Sequence, residues 1–211
     1  MKKYILLLAL LLSSTTFAVE PKFNDNFKQT KNEIETSSPG KIEVLELFWY
    51  GCIHCYSMDP YLDKWADSLP DDVVFKRVPA IPRKSWVPGA KAYFALETLG
   101  LEGKLHEKLF DAIHKEKDVD PNNEAALISW ITLNGKLDEK EVKAAFNSFS
   151  IDTKLKKSYK IFKEAGATGV PTIIIDGNYM TSSTMAGGEK NAIDLTNYII
   201  ENIRNDRKKS N

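Results

Sequence analysis

One stretch constrains this chain more than any other. Val44-Leu45-Glu46-Leu47-Phe48-Trp49-Tyr50 is apolar at all but one position, and Cys52-Ile53-His54-Cys55 follows it. A short apolar run of this kind reads as a strand covered on both faces. Cys55, Met58, Leu62, Trp65, Ala66 and Leu69 then fall at three- and four-residue intervals, the spacing of an amphipathic helix. A buried strand therefore turns into a helix, and the turn carries the chain's only two cysteines. Closing so short a loop restrains an unfolded chain very little, so the pair is not what holds the fold together. A structural zinc needs four ligands, and only His54, His106 and His114 are available to join the cysteines. Thiol–disulfide redox chemistry is the favoured reading of two cysteines at this spacing, with a structural bridge or half of a zinc site as the alternatives.

The N-terminus points to an oxidising compartment. Lys2-Lys3 is a positive n-region, Ile5 to Leu12 is unbroken apolar sequence, and Thr16-Phe17-Ala18 fits a small-x-small cleavage site. The apolar run falls short of the roughly 20 residues that span a bilayer. Residues 1–18 read as a secretory signal cut after Ala18, of a bacterial kind that leads to the periplasm. Losing Lys2 and Lys3 from 29 basic residues leaves 27 against 29 acidic, a net charge of −2. Bulk charge thus gives no reason to expect nucleic acid or anionic lipid as a partner.

The rest of the chain reads as α/β with a helical interruption. Residues 20–36 form a polar leader with a first edge strand. Lys41 to Trp49 is a central strand, and Cys52 to Leu69 a helix that Pro60 should kink. Asp72 to Pro79 is a second strand. From Lys84 to Tyr159 helical signals dominate: Ala90 to Leu99 with Gly100 as its stop, Lys104 to His114, a helix opened by Pro121-Asn122-Asn123-Glu124, Asp138 to Phe149, and Asp152 to Ala165. Strand character returns at Thr172-Ile173-Ile174-Ile175. Asp176-Gly177 is a hairpin turn, Tyr179-Met180-Thr181 the partner strand, and Ala192 to Ile203 a last helix before a solvated tail at 204–211. Without the helical block, strand–helix–strand–strand–strand–helix resembles a thioredoxin-like unit. The domains are then 19–83 and 159–211 for that unit and 84–158 for an inserted all-helical domain.

Individual residues can be given chemistry. Cys52 should stand at the helix start, where free backbone N–H groups and the positive end of the helix dipole favour thiolate. His54, still in the first turn, can add a donor or a positive charge. Cys55, one turn on, should face inward. That makes Cys52 the attacked sulfur and Cys55 the resolving one. Glu46 either sits buried below the sulfurs, where a carboxyl tends to keep its proton, or faces solvent on a half-exposed strand. Pro171 either follows a cis bond, leaving the backbone of Val170 free to pair with a peptide, or starts an edge strand in trans. His106 and His114 read as solvated helix residues, Trp86 and Trp130 as core.

Taken together, the run before the pair, Cys52 to Cys55, the helical insertion, Gly169-Val170-Pro171, Asp176-Gly177-Asn178-Tyr179 and the last helix resemble the DsbA family of bacterial periplasmic thiol:disulfide oxidoreductases. The resemblance covers essentially all of the chain after residue 18. It implies a thioredoxin-like fold with an inserted helical domain, with Cys52 as nucleophile, Cys55 as resolving thiol and His54 as thiolate stabiliser. It also implies Glu46 as the buried acid and Val170-Pro171 as a cis-proline substrate loop. No cofactor or metal is implied. The implied partners are unfolded or partly folded secreted proteins with reduced cysteines and a quinone-linked membrane oxidase of the DsbB type, with the protein itself a monomer. Ile53 departs from the family, where proline is common. The basic partner of the buried acid has no clear counterpart, Lys76 being the candidate. Two rivals stay open: a disulfide isomerase or reductase on the same fold, and a peptide-binding chaperone module whose cysteines are incidental.

Overall fold

The computed structural model describes residues 21–209, so the expected secretory signal and its expected cleavage point lie outside the described residues. Five strands form one mixed sheet in the order β1-β5-β4-β2-β3. They are β1 (Lys28–Gln29), β2 (Ile42–Phe48), β3 (Val73–Pro79), β4 (Thr172–Ile175) and β5 (Tyr179–Thr181). β2 pairs parallel with β3 and antiparallel with β4. Every residue of β2 is buried, as its unbroken apolar run requires.

The connection from β2 to β3 is helix α1 (Ile53–Ala66), which continues through Pro60. Its Met58, Leu62 and Trp65 pack with Ile42 and Val44 of β2 and with Leu195 and Ile199 of the C-terminal helix. Leu45 and Leu47 project from the other face of β2 toward Ile161 and Ala165. Strand alternation therefore splits β2 between two cores. Glu46 shares the α1 side with Val44 and Phe48.

Between β3 and β4 the chain is helical: a 3-10 turn (Lys84–Trp86), α2 (Val87–Thr98), α3 (Glu102–Asp111) running into a π turn (Ala112–Glu116), α4 (Glu124–Gly135), α5 (Glu139–Phe146) and α6 (Phe149–Ala165). The expected signals act locally. Asn123 and Asp138 accept from backbone N–H groups as N-caps of α4 and α5. Gly100 takes a left-handed φ of 67° just after α2. α2 is apolar on most of its surface, with Ala92, Tyr93, Phe94, Ala95 and Leu96 all buried among α3, α4 and α5. The same core takes in Phe48, Tyr50 and Cys55, so the helical block packs directly on the cysteine turn.

Asp176 and Gly177 both adopt positive φ, 51° and 70°, and turn β4 into β5. A short helix α7 (Ser183–Ala186) leads to α8 (Glu189–Lys209). The last helix is longer than its apolar pattern implies: residues 204–209 are solvated as expected but helical, with Arg204 paired to Asp72 and Arg207 to Asp176.

Candidate active site

Cys52 is the N-cap of α1, with extended backbone, and its sulfur accepts from the backbone N–H of Cys55 at 3.4 Å. Both cysteines are free, Cys52 part-exposed and Cys55 buried. The Cys52 thiol is pushed down to about 6. The largest cause is the hydrogen bond that the Cys55 thiol donates to it; the backbone N–H groups of Cys55 and His54 and the charge of His54 add to this, against desolvation. Burial pushes the Cys55 thiol well up, and the neighbouring Cys52 reinforces it. One sulfur is thus a thiolate near neutral pH and the other holds its proton, the asymmetry that thiol exchange uses.

Val170–Pro171 is a cis peptide bond, and the Val170 carbonyl lies 3.3 Å from the Cys52 sulfur. The carbonyl accepts from Cys52 only while the thiol is neutral. Ile53, between the cysteines, is 52 % exposed, and His54 is exposed beside it.

Glu46 is 1 % exposed. Burial pushes its carboxyl up to about 8, the nearby Arg77 charge working the other way. The register explains the pairing: Glu46 lies opposite Arg77 on β3 and Ile173 on β4. Lys76, one residue earlier, projects from the other face of the sheet and pairs with Glu43 at 2.6 Å. The basic partner of the buried acid is therefore Arg77 and not Lys76. Arg77 Nε lies 3.4 Å from Glu46 Oε2, although neither atom makes a hydrogen bond of good geometry. The same guanidinium reaches Asp59 at 2.9 Å, Asp63, and Glu102 at 3.6 Å.

The histidines of the helical block are not solvated. His106 is 4 % exposed. Its Nδ1 lies 2.7 Å from the Tyr50 hydroxyl and its Nε2 3.1 Å from Asp59 Oδ1. His114 Nε2 donates to the Tyr50 carbonyl at 2.7 Å and its ring stacks on Tyr56 at 5.1 Å. Their helix buries Leu105, His106, Leu109 and Phe110 together, a stripe in which His106 lies one turn from Phe110. That spacing is the sequence signal that marks His106 as inward-facing. Trp86 is half-buried and stacks on Trp49 at 4.2 Å, and Trp130 is partly buried against the helical core. Among the described residues no group of three or more His, Cys, Asp or Glu side chains is arranged to hold a metal ion. None of their helices is long and apolar enough to cross a membrane.

Comparison with known proteins agrees with this geometry. A family model described as a DSBA-like thioredoxin domain matches residues 43–199. The thiol:disulfide interchange protein DsbA of Pseudomonas aeruginosa is 34 % identical over 213 residues, which is 97 % of this chain and 99 % of that one. The Burkholderia cepacia protein of the same name is 31 % identical over 87 % of this chain and 86 % of that one. The crystal structure of Pseudomonas aeruginosa DsbA superposes with a TM-score of 0.83 at 33 % identity, covering 89 % of this chain and 97 % of that one. That of the Xylella fastidiosa oxidoreductase DsbA gives 0.81 at 27 %, covering 87 % and 98 %. With the strand, the cysteine turn and the helical block all inside the matched region, this chain belongs to the DsbA family and is a thiol:disulfide oxidoreductase.

Proposed function

We propose that the protein donates the Cys52–Cys55 disulfide to secreted proteins as they fold. The single observation that carries this direction is the Cys52 sulfur at the helix N-cap, with its thiol pushed down to about 6. A thiolate stabilised only in the reduced fold makes reduction favourable, so the disulfide is an oxidant. In the oxidised form a substrate thiolate attacks Cys52 Sγ. The Cys52–Cys55 bond breaks, its electron pair goes to Cys55, and a substrate–Cys52 disulfide forms. A second substrate thiolate then attacks the substrate sulfur of that bond and expels Cys52 as thiolate. The substrate loses two electrons and the enzyme gains them.

The departing Cys55 sulfur needs a proton, since its burial opposes the thiolate. Glu46, protonated up to about pH 8, is the proton donor in this reading and takes the proton back on reoxidation. His54 stabilises the Cys52 thiolate from the exposed side. Val170 and Pro171 form the edge on which a substrate peptide lies. The substrates are unfolded or partly folded secreted proteins with reduced cysteines, met in the periplasm after the signal is removed at Ala18, and the protein acts as a monomer. A quinone-linked membrane oxidase of the DsbB type restores the disulfide. The thioredoxin-like unit, 19–83 and 159–211, carries the chemistry, and the helical domain, 84–158, covers it.

Equilibration with glutathione tests the direction. A potential near the −120 mV of DsbA supports the oxidase reading, whereas one below about −220 mV, in the glutaredoxin and thioredoxin range, rejects it. Loss of all exchange in Cys52→Ser separates this chemistry from simple peptide binding.

A further inference from the structure

His106 belongs to the helical block, yet it touches both ends of the cysteine turn. Tyr50 lies two residues before Cys52, and Asp59 lies one helical turn after Cys55. The imidazole bridges them, 2.7 Å from the Tyr50 hydroxyl and 3.1 Å from Asp59 Oδ1. A carboxylate only accepts, so Nε2 carries a hydrogen and donates to Asp59. The buried Tyr50 hydroxyl keeps its proton and can donate it to Nδ1. Rings close the rest of the surroundings: Phe48 and Tyr50 from β2 and its turn, Tyr93 from α2, and Phe110 from α3 itself, all with centroids between 5.1 and 5.7 Å away. The charged groups facing this bridge are Asp59 on α1 and, behind it, Arg77 on β3. Arg77 also meets Glu46 on β2, Asp63 on α1 and Glu102 on α3.

We propose that His106 is a positioning residue for the redox pair: it holds the buried negative charge on Asp59, against Arg77, and so keeps that charge off Glu46 beneath the sulfurs. This rests on reading Cys52 as the reactive thiolate and Glu46 as the buried acid. Asp59 and Glu46 compete for a single cation, Arg77. Burial alone favours a protonated Asp59; the His106 hydrogen bond, then Arg77, hold it ionised. Without the imidazole, burial is less opposed and Asp59 takes up a proton. Arg77 then turns its charge to Glu46, which ionises. Glu46 is the carboxyl whose charge acts on both cysteines, so the Cys52 thiolate becomes less favourable.

The test compares His106→Leu with His106→Gln in the full-length protein after signal removal. Gln keeps one donor for Asp59 and one acceptor for Tyr50; Leu keeps neither. Thiolate absorbance followed against pH reports the Cys52 pKa, glutathione exchange reports the redox equilibrium, and melts of both redox forms report stability. We expect His106→Leu to raise the Cys52 pKa by about half to one unit. The glutathione equilibrium should move about three- to tenfold toward the disulfide, tenfold corresponding to about 30 mV. His106→Gln should restore both values. Equal destabilisation of both redox forms with an unchanged Cys52 pKa means that the residue only packs, and overturns the proposal. Should the Leu variant not fold, Asp59→Asn removes the same charge from its place against Arg77. Because it also leaves Arg77 free for Glu46, it should raise the Cys52 pKa in the same way, and an unchanged value overturns the proposal equally. A wild-type protein with no thiolate titrating below about pH 7.5 would instead reject the reading of Cys52 itself.

Discussion

Raising the pH from 5 to 8 should stabilise the reduced protein relative to the oxidised one. The reduced fold holds Cys52 with its thiol lowered to about 6, whereas an unfolded cysteine titrates near about 8.5. A group with a lowered folded pKa contributes stability that is complete above the unfolded value and is lost as pH falls through the folded one. The full shift gives essentially nothing at pH 5, about 1.4 kcal/mol at pH 7 and about 2.5 kcal/mol at pH 8. The Cys52 sulfur is partly open to solvent, and screening reduces these figures to about 1 and about 1.5–2 kcal/mol. Cys55 acts with the opposite sign, because its folded pKa is raised. Its contribution is present below the unfolded value and is lost as pH rises past about 8.5, so the window from pH 5 to 8 isolates Cys52.

The oxidised protein is the internal reference. It has no thiol to titrate, and it shares every other ionisable group, so the difference between the two forms removes most of the background. The ring closed by the disulfide shifts the difference by a constant and leaves its pH dependence untouched. Guanidinium melts of both forms at pH 5, 6, 7 and 8 measure it. A difference that moves by less than about 0.5 kcal/mol over that range, within the error of extrapolation, or that moves against the reduced form, refutes the stabilised thiolate.

Three other substitutions probe the buried charges and the hairpin. Glu46→Gln should stabilise the reduced protein by about 2–4 kcal/mol at pH 7. The carboxyl is raised to about 8, so its stability is present below about pH 4.3 and is lost as pH rises toward 8; the gain should vanish in melts near pH 4. Arg77→Met leaves the ionised Asp59 buried without its guanidinium partner and should lower stability by about 3–5 kcal/mol at pH 7; an unchanged denaturation midpoint would show that Asp59 does not need it. Gly177→Ala places a Cβ 2.0 Å from the Ile34 carbonyl oxygen and should cost far more than Gly100→Ala, whose Cβ meets nothing within 4 Å and loses only the left-handed preference of about 1–2 kcal/mol. Equal losses in thermal melts would remove the role given to the close approach of the hairpin to Ile34.

The parts of this fold that were legible in the sequence are those governed by neighbours along the chain. The apolar run of β2, the helical spacing after Cys52, the Asp176-Gly177 turn and the helix starts near Asn123 and Asp138 all depend on residues within one or two turns. The parts that were not legible depend on register and on packing between distant segments. Lys76 and Arg77 are adjacent, equally basic residues on one strand. Only the parallel pairing of Glu46 with Arg77 decides which faces the acid, and alternation sends the other to Glu43. His106 was misplaced because a polar residue on a charged helix reads as exposed. Its partners Tyr50 and Asp59 lie 56 and 47 positions away, beyond any local pattern except its alignment with Phe110.

The choice of arginine over lysine at position 77 bears on which carboxyl holds the proton. A guanidinium presents five donors in a plane and keeps its charge when buried, whereas an ammonium is a compact point charge. Arg77 divides those donors among Asp59, Asp63 and Glu102 on one side and Glu46 on the other. Asp59 also has His106, and Asp63 and Glu102 are part-exposed. Glu46 is fully enclosed, and its Oε2 faces the guanidinium at 3.4 Å without a well-formed hydrogen bond. It is the poorest-served of the four, and a buried carboxyl that is poorly served keeps its proton. Which of the four carboxyls keeps its proton is thus set by the geometry of the competition for one cation, to which α1, β3 and the helical block each contribute.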